Sequence, residues 1–153
     1  MKIKYYKLTD SDLERRIKTD FQEQRGTYIL HFYKNGEPAK ICRFRDNDLN
    51  GILYIGKTDD TLYNRVTSLA TAIKSNSDKS QVEPKQRGHR SLSLKFFRIR
   101  KHIELEDLIV EVRETAETPE IDESKLLESY VATFGELPPL NGNYGKYADW
   151  SLF

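Results

Sequence analysis

Runs of apolar and aromatic residues interrupt an otherwise polar chain, and their period switches between that of strands and that of helices. Asp10-Ser11 followed by Asp12-Leu13-Glu14 is a helix start, with a capping residue and acids in the first turn. The helix is predicted to reach about Gln24, with Gly26 as its stop. Tyr28-Ile29-Leu30-His31-Phe32-Tyr33 reads as a strand rich in aromatic and branched residues. Asn35-Gly36 behind it favours a tight hairpin turn, because both positions tolerate positive φ. A second strand passes through Ile41-Cys42-Arg43-Phe44, a polar loop surrounds Asp46-Asn47-Asp48, and a further strand covers Ile52-Leu53-Tyr54-Ile55. Gly56 to Asp60 then turns the chain into a helix capped by Asp59 or Asp60. On that helix Leu62, Val66, Leu69, Ala70 and Ile73 form one apolar stripe. Ser75 to Gly88 is polar, contains Pro84 and reads as a loop. A short helix over Ser91 to Phe97 and a strand over Leu108 to Val112 follow. After Pro119 a last amphipathic helix carries Leu126, Leu127, Tyr130, Val131 and Phe134, and Gly135 closes it.

These elements predict an α+β fold, a small and mainly antiparallel sheet flanked by helices. A chain of 153 residues is most simply one domain, 1–153, large enough for a single core. Hydrophobic content of 37% with 32% charged residues describes a globular chain with a well-charged surface. The single cysteine, Cys42, excludes an internal disulfide or a cysteine-cluster metal site and suits a reducing compartment. No apolar run is long enough for a signal peptide or a membrane span, so a cytoplasmic protein without a membrane partner is expected.

The net charge of +1 does not by itself point to nucleic acid, but its distribution is uneven. Lys79, Lys85, Arg87, Arg90, Lys95, Arg98, Arg100 and Lys101 are opposed in their segment only by Glu83, whereas Glu104 to Glu136 is strongly acidic. A basic middle can follow a phosphate backbone with the acidic third turned away; a mixed solvated surface is the plainer alternative.

Two strand-type runs carry a split signal, Gly26-Thr27-Tyr28 and then Tyr54-Ile55-Gly56. Downstream come Arg65 on the amphipathic helix, the pair Gly88-His89, and Glu128 followed by Pro138-Pro139-Leu140-Asn141. In this order the set resembles the GIY-YIG nuclease family, whose members cut nucleic-acid phosphodiesters, over about Gly26 to Asn141. The resemblance implies the same α+β fold, with a nuclease-like core over about 26–145. The predicted helix at about 10–24 would be an N-terminal extension. Thr27 stands where the family usually has isoleucine. The stretch between Tyr28 and Tyr54 is longer than usual, by an insertion at about 34–50 that is either a groove-contacting hairpin bearing Arg43 and Arg45 or an edge elaboration.

The resemblance assigns roles that residue chemistry allows. Tyr28 and Tyr54 would lie at the attacking water, with Tyr28 the first choice for activating it. A phenol does this only if a cation or metal lowers its pKa, and nine tyrosines make packing the plainer role for each. Gly26 and Gly56 would allow unusual φ/ψ or close approach of a phosphate, or simply end a helix and a strand. Lys57 would hold a phosphate or acidify a tyrosine. Arg65 falls at roughly 300° when Leu62 is set at 0°, flanking the stripe, where a two-donor grip on phosphate is within reach. His89 would serve as a second base, phosphate donor or leaving-group acid. Glu128 would bind Mg²⁺ or Mn²⁺ through one carboxylate, with Glu123 and Glu136 as competitors. Asn141 would tie the C-terminal loop to the sheet or to Glu128, and Lys85, Arg87, Arg90 and Lys95 would contact the nucleic acid.

The expected function is metal-dependent endonucleolytic cleavage of DNA, restriction-like in its compactness, with RNA also compatible. The alternative is a nucleic-acid-binding module that keeps the fold without cutting. Cutting both strands requires two active sites or two binding events, which a homodimer would supply.

Overall fold

A computed structural model describes residues 1–153. In chain order it contains β1 (Ile3–Lys7), α1 (Leu13–Phe21), β2 (Gly26–Lys34), β3 (Glu37–Pro38), β4 (Ile41–Cys42) and β5 (Asn47–Asp48). Then follow β6 (Ile52–Thr58), α2 (Leu62–Lys74), α3 (Arg90–Ile99), β7 (Leu108–Glu114) and α4 (Pro119–Phe134), with short 3₁₀ turns around them. The fold is α+β, as expected.

The long strand β2 is the centre of the sheet. It pairs antiparallel with β7 on one side and β6 on the other, β1 adds to β7, and the order is β1-β7-β2-β6. Alternation along β2 separates two cores. Tyr28 and Leu30 join Tyr6, Val110, Val112 and the inner faces of α1 and α2 in the larger one. Ile29 turns to the opposite face, where Ile55 meets Leu127 and Tyr130 of α4. Every stripe residue of α2 is buried, as its period requires.

Several expectations need correction. β1 gives no clear signal because only Tyr6 of its five residues is buried. Helix α1 ends at Phe21, and Gly26 is not its stop. Gly26 opens β2 between Thr58 and Glu114, where an added Cβ would lie 2.0 Å from the Arg113 carbonyl oxygen. The cap of α2 is Thr61, whose hydroxyl oxygen accepts from Asn64 N–H at 3.1 Å; neither Asp59 nor Asp60 fills that role. Asn35 and Gly36 do adopt positive φ, 52° and 80°, the geometry of a twisted hairpin turn.

The insertion first adds β3 to the end of β2 and then forms a minor ribbon, β4 against β5, set apart from the main sheet. Its arginines are occupied within the fold. Arg45 donates to the Ala132 carbonyl at 2.7 Å, Arg43 donates to the Leu137 carbonyl, and the Arg45 backbone N–H donates to the Phe134 carbonyl at 2.9 Å. They satisfy carbonyls at and beyond the C-terminal end of α4, where cations are also favoured by the helix dipole. The ribbon is thus an edge elaboration.

The polar loop at 75–88 is pinned from inside. Buried Asn76 donates to the Ala72 and Lys85 carbonyls at 2.8 Å and accepts from Lys85 N–H at 2.8 Å. Arg100 is buried too, donating to the Asp78 carbonyl at 3.1 Å and the Phe97 carbonyl at 2.7 Å, so it leaves the basic surface. No helix is long and apolar enough to cross a membrane.

On the α4 side of the sheet lies a buried pair, His31 with Glu111. Nε2 of His31 is 2.9 Å from Glu111 Oε2, and Arg113 donates to the other carboxylate oxygen. Burial would push the Glu111 carboxyl up, but hydrogen bonds from His31 and Arg113 and the Arg113 charge more than offset it, holding it below the usual range. A carboxyl depressed on folding stabilises above its unfolded pKa of about 4.5, and that contribution is lost as pH falls through the folded value. Denaturant melts of Glu111→Gln should therefore lie below wild type at neutral pH and converge with it in acid. A constant gap down to the lowest pH would contradict the depressed carboxyl.

Candidate active site

Pairing of β2 with β6 sets the site. Tyr28 lies directly opposite Gly56, and the register slips between Leu30 and His31, leaving Leu53 as a bulge residue beside Tyr54. A Cβ on Gly56 would stand 2.6 Å from both the Cζ and the hydroxyl oxygen of Tyr28, and 2.7 Å from Tyr54 Cε1. The glycine lets both rings cross the strand, and their centroids come within 6.1 Å. Gly56→Ala should overpack this junction and cost about 1–3 kcal/mol, read as a lowered melting midpoint. A wild-type melting curve would mean that the rings have room to yield.

The stripe of α2 aims Arg65 at the same point. Its Nε donates to the Tyr28 hydroxyl at 3.1 Å, and the remaining guanidinium N–H groups have no protein partner. Two depressions meet at this arginine. One, of about 330 Å³, is bounded by Tyr54, His89, Lys95, Glu123 and Tyr144. The other, of about 460 Å³, is lined by Lys57, Asp59 and Asn64. Lys57 is ion-paired to Asp59, which raises its pKa and keeps it cationic.

His89 enters from the N-terminus of α3. Gly88 precedes it with φ of 64°, packed so close to α2 that a Cβ would lie 2.2 Å from the Ser68 carbonyl oxygen. His89 is the N-cap: Nδ1 accepts from Leu92 N–H at 3.3 Å, while Nε2 sits 3.0 Å from the Tyr54 hydroxyl. Burial, reinforced by the nearby Arg65 charge, pulls its pKa down to about 4. The ring is neutral at pH 7, and with Nδ1 accepting, Nε2 carries the proton and donates to the Tyr54 oxygen. This geometry makes His89 neither a free base nor a proton-loaded acid.

Both phenols are held protonated. Burial raises Tyr28, against the opposing pull of the Arg65 guanidinium and the neighbouring Tyr54 hydroxyl. Burial also raises Tyr54, with the adjacent Tyr28 adding to it. Tyr28 is 0% exposed and lies behind the cavity rather than in its wall. The expected first choice for meeting water is thus sealed from it, whereas Tyr54 borders the cavity.

Asn141 holds the outer edge of the sheet. Its amide mimics a strand neighbour, accepting from Ile55 N–H at 2.9 Å and donating to the Ile55 carbonyl at 2.8 Å, while Leu140 N–H donates to the Leu53 carbonyl at 2.8 Å. Of its two expected partners, the sheet is the one it meets.

The carboxylate that reaches the cavity is Glu123. Burial raises its pKa, while Lys57 and Arg65 pull it down and Glu120 and Asp59 push it up. Glu128 does not border the cavity. It is buried at 5% exposure on the flank of α4 shared with Ser124 and Val131, and the C-terminal segment lies along that flank, with Tyr147 N–H donating to Ser124 Oγ at 3.2 Å. A helical wheel contains the signal: Glu123, Leu127 and Tyr130 fall at roughly 0°, 40° and 340°, and Glu128 at roughly 140°. Glu136, the other competitor, pairs with Arg43 at 3.0 Å.

Of the four basic residues, Lys85 and Arg87 are exposed on the loop that leads to His89, and Arg90 is held by Gln86. Lys95 is half-buried in the cavity wall, where burial lowers its pKa. No group of three or more His, Cys, Asp or Glu side chains is placed to hold a metal ion by itself. A divalent ion at Glu123 would therefore draw most of its ligands from water and substrate, a pattern that suits Mg²⁺ and fits the lone carboxylate. Compared with family models, curated proteins and solved structures, the chain has no significant match.

Proposed function

We propose that this protein is a metal-dependent endonuclease of GIY-YIG type acting on DNA. The observation that carries the reading is the convergence of Tyr54, Arg65, His89 and Glu123 from four separate elements at one polar cavity, with Tyr28 buried behind it against Arg65. Arg65 offers its unpartnered N–H groups to the scissile phosphate, where charge builds as the attacking oxygen adds. Tyr28 fixes that guanidinium by accepting from Nε. Tyr54, with the His89 N–H behind it, orients the attacking water through its hydroxyl. Lys57 adds positive charge on the second side of Arg65. Glu123 would hold the Mg²⁺ or Mn²⁺ ion, which would supply Lewis-acid stabilisation and a more acidic bound water.

Supercoiled plasmid is the test substrate, incubated with Mg²⁺, Mn²⁺ or EDTA. Nicking with either ion and none in EDTA is the expected result. The rival reading, a module that binds without cutting, draws on the protonated state of both phenols. Retained DNA binding with no nicking under any ion would establish it.

The positions of the two tyrosines make a sharper prediction. Tyr54→Phe removes the hydroxyl that borders the cavity and orients the water, and should lower turnover by about 100-fold, the scale of a misplaced reactant. Tyr28→Phe removes only an acceptor that positions Arg65, and its defect should be smaller. A larger loss in Tyr28→Phe would return the water to Tyr28.

A further inference from the structure

The last ten residues carry a feature that the cleavage chemistry does not use. Tyr144, Tyr147, Trp150 and Phe153 recur at every third position and are 63%, 50%, 81% and 61% exposed. Rings of this size are seldom left in water without a partner to cover them. The segment is anchored to α4 through Ser124, which accepts from Tyr147 N–H at 3.2 Å and against which Gly145 packs. A 3₁₀ turn over Trp150–Leu152, capped by Asp149, brings the Trp150 and Phe153 rings within 6.2 Å. The row also begins inside the site, because Tyr144 shares its cavity with Tyr54, Arg65 and His89.

We propose that this segment is a stacking platform for unpaired bases, so that the site takes a strand flanked by single-stranded nucleotides. The proposal rests on the reading of the cavity as a phosphate site. Aromatic faces accept every base alike, and rows of them beside a cationic groove are how single strands are held without sequence preference. Here the cations are Arg65 and Lys95 in the cavity, with Lys146 lying over the Tyr147 ring at 5.6 Å. A duplex keeps its base faces stacked on one another and offers these rings nothing but its ends. Continuity with the phosphate cavity and the interleaved lysine favour a nucleic-acid strand over a protein partner.

Trp150 is the only tryptophan, so its emission, excited to the red of tyrosine absorption, reports this segment alone. The probe is a thymidine oligonucleotide titrated into full-length Glu123→Gln protein in EDTA, compared with a duplex of equal length. The single strand should quench Trp150 strongly and the duplex weakly. Tyr144→Ala with Tyr147→Ala, which removes two rings, should weaken single-strand binding by about 30-fold or more, whereas Tyr147→Phe, which keeps the ring, should bind as the parent. Equal quenching by both forms, or none by either, overturns the proposal. So does quenching that follows protein concentration alone, since the rings would then meet a second copy. The two readings fail separately. Single-strand quenching in a protein that never cuts plasmid removes the nuclease and keeps the platform. Plasmid cutting without quenching keeps the nuclease and removes the platform.

Discussion

Glu123→Gln should abolish ion-dependent nicking of plasmid DNA, while Glu128→Gln should leave it intact. Glutamine keeps the size of either side chain, so the comparison isolates the charge. At position 123 the lost carboxylate is the sole acid bordering the cavity with Tyr54, Arg65 and His89. Without it the ion has no protein anchor, and a loss of about 100-fold or more is expected, the scale of removing one electrostatic stabiliser. Proton competition adds a second signature. Burial raises the Glu123 carboxyl, so it takes up a proton at a pH above the ordinary carboxylate range. Ion binding requires the deprotonated form, and Mn²⁺ affinity should fall as pH drops through that raised value. Loss of nicking in Glu128→Gln with activity retained in Glu123→Gln would reinstate Glu128 as the ligand.

What could be read from the chain followed from whether a signal was local. The stripe on α2 is a matter of period alone; its five residues are all buried, and Arg65 lies beside them as the helical geometry demands. Asn35-Gly36 likewise needs no tertiary information. The choice between Glu123 and Glu128 does, because five residues separate two faces of one helix and only docking against β6 decides which meets the sheet. The role of His89 was hidden for a similar reason. Capping α3 occupies Nδ1, so one local bond fixes the proton on Nε2, which a sequence cannot display. β1 was invisible because an edge strand buries one residue in five, and Arg43 and Arg45 looked free because the carbonyls they satisfy lie about ninety residues away.

Arg65→Ala should lower turnover far more than substrate affinity. In the free protein Nε is committed to Tyr28, and the other N–H groups project no bond to the protein. Binding a phosphate uses them partly, but their contribution grows as the phosphoryl oxygens gain charge, so the loss belongs mainly to the transition state. A fall of about 100- to 1,000-fold in kcat with KM little changed is the expected pattern. Arg65→Lys should recover little. An ammonium retains the charge but cannot donate to Tyr28 and grip two phosphate oxygens in one plane. The pair Arg65→Ala with Tyr28→Phe supplies the control. If Tyr28 acts by positioning the guanidinium, its mutation should add almost nothing once Arg65 is gone, since residues in direct contact are not additive. Independent, multiplying defects would show that Tyr28 acts on the substrate by itself. A raised KM with unchanged kcat in Arg65→Ala would reduce the arginine to a docking contact and leave the chemistry to Glu123 and Tyr54.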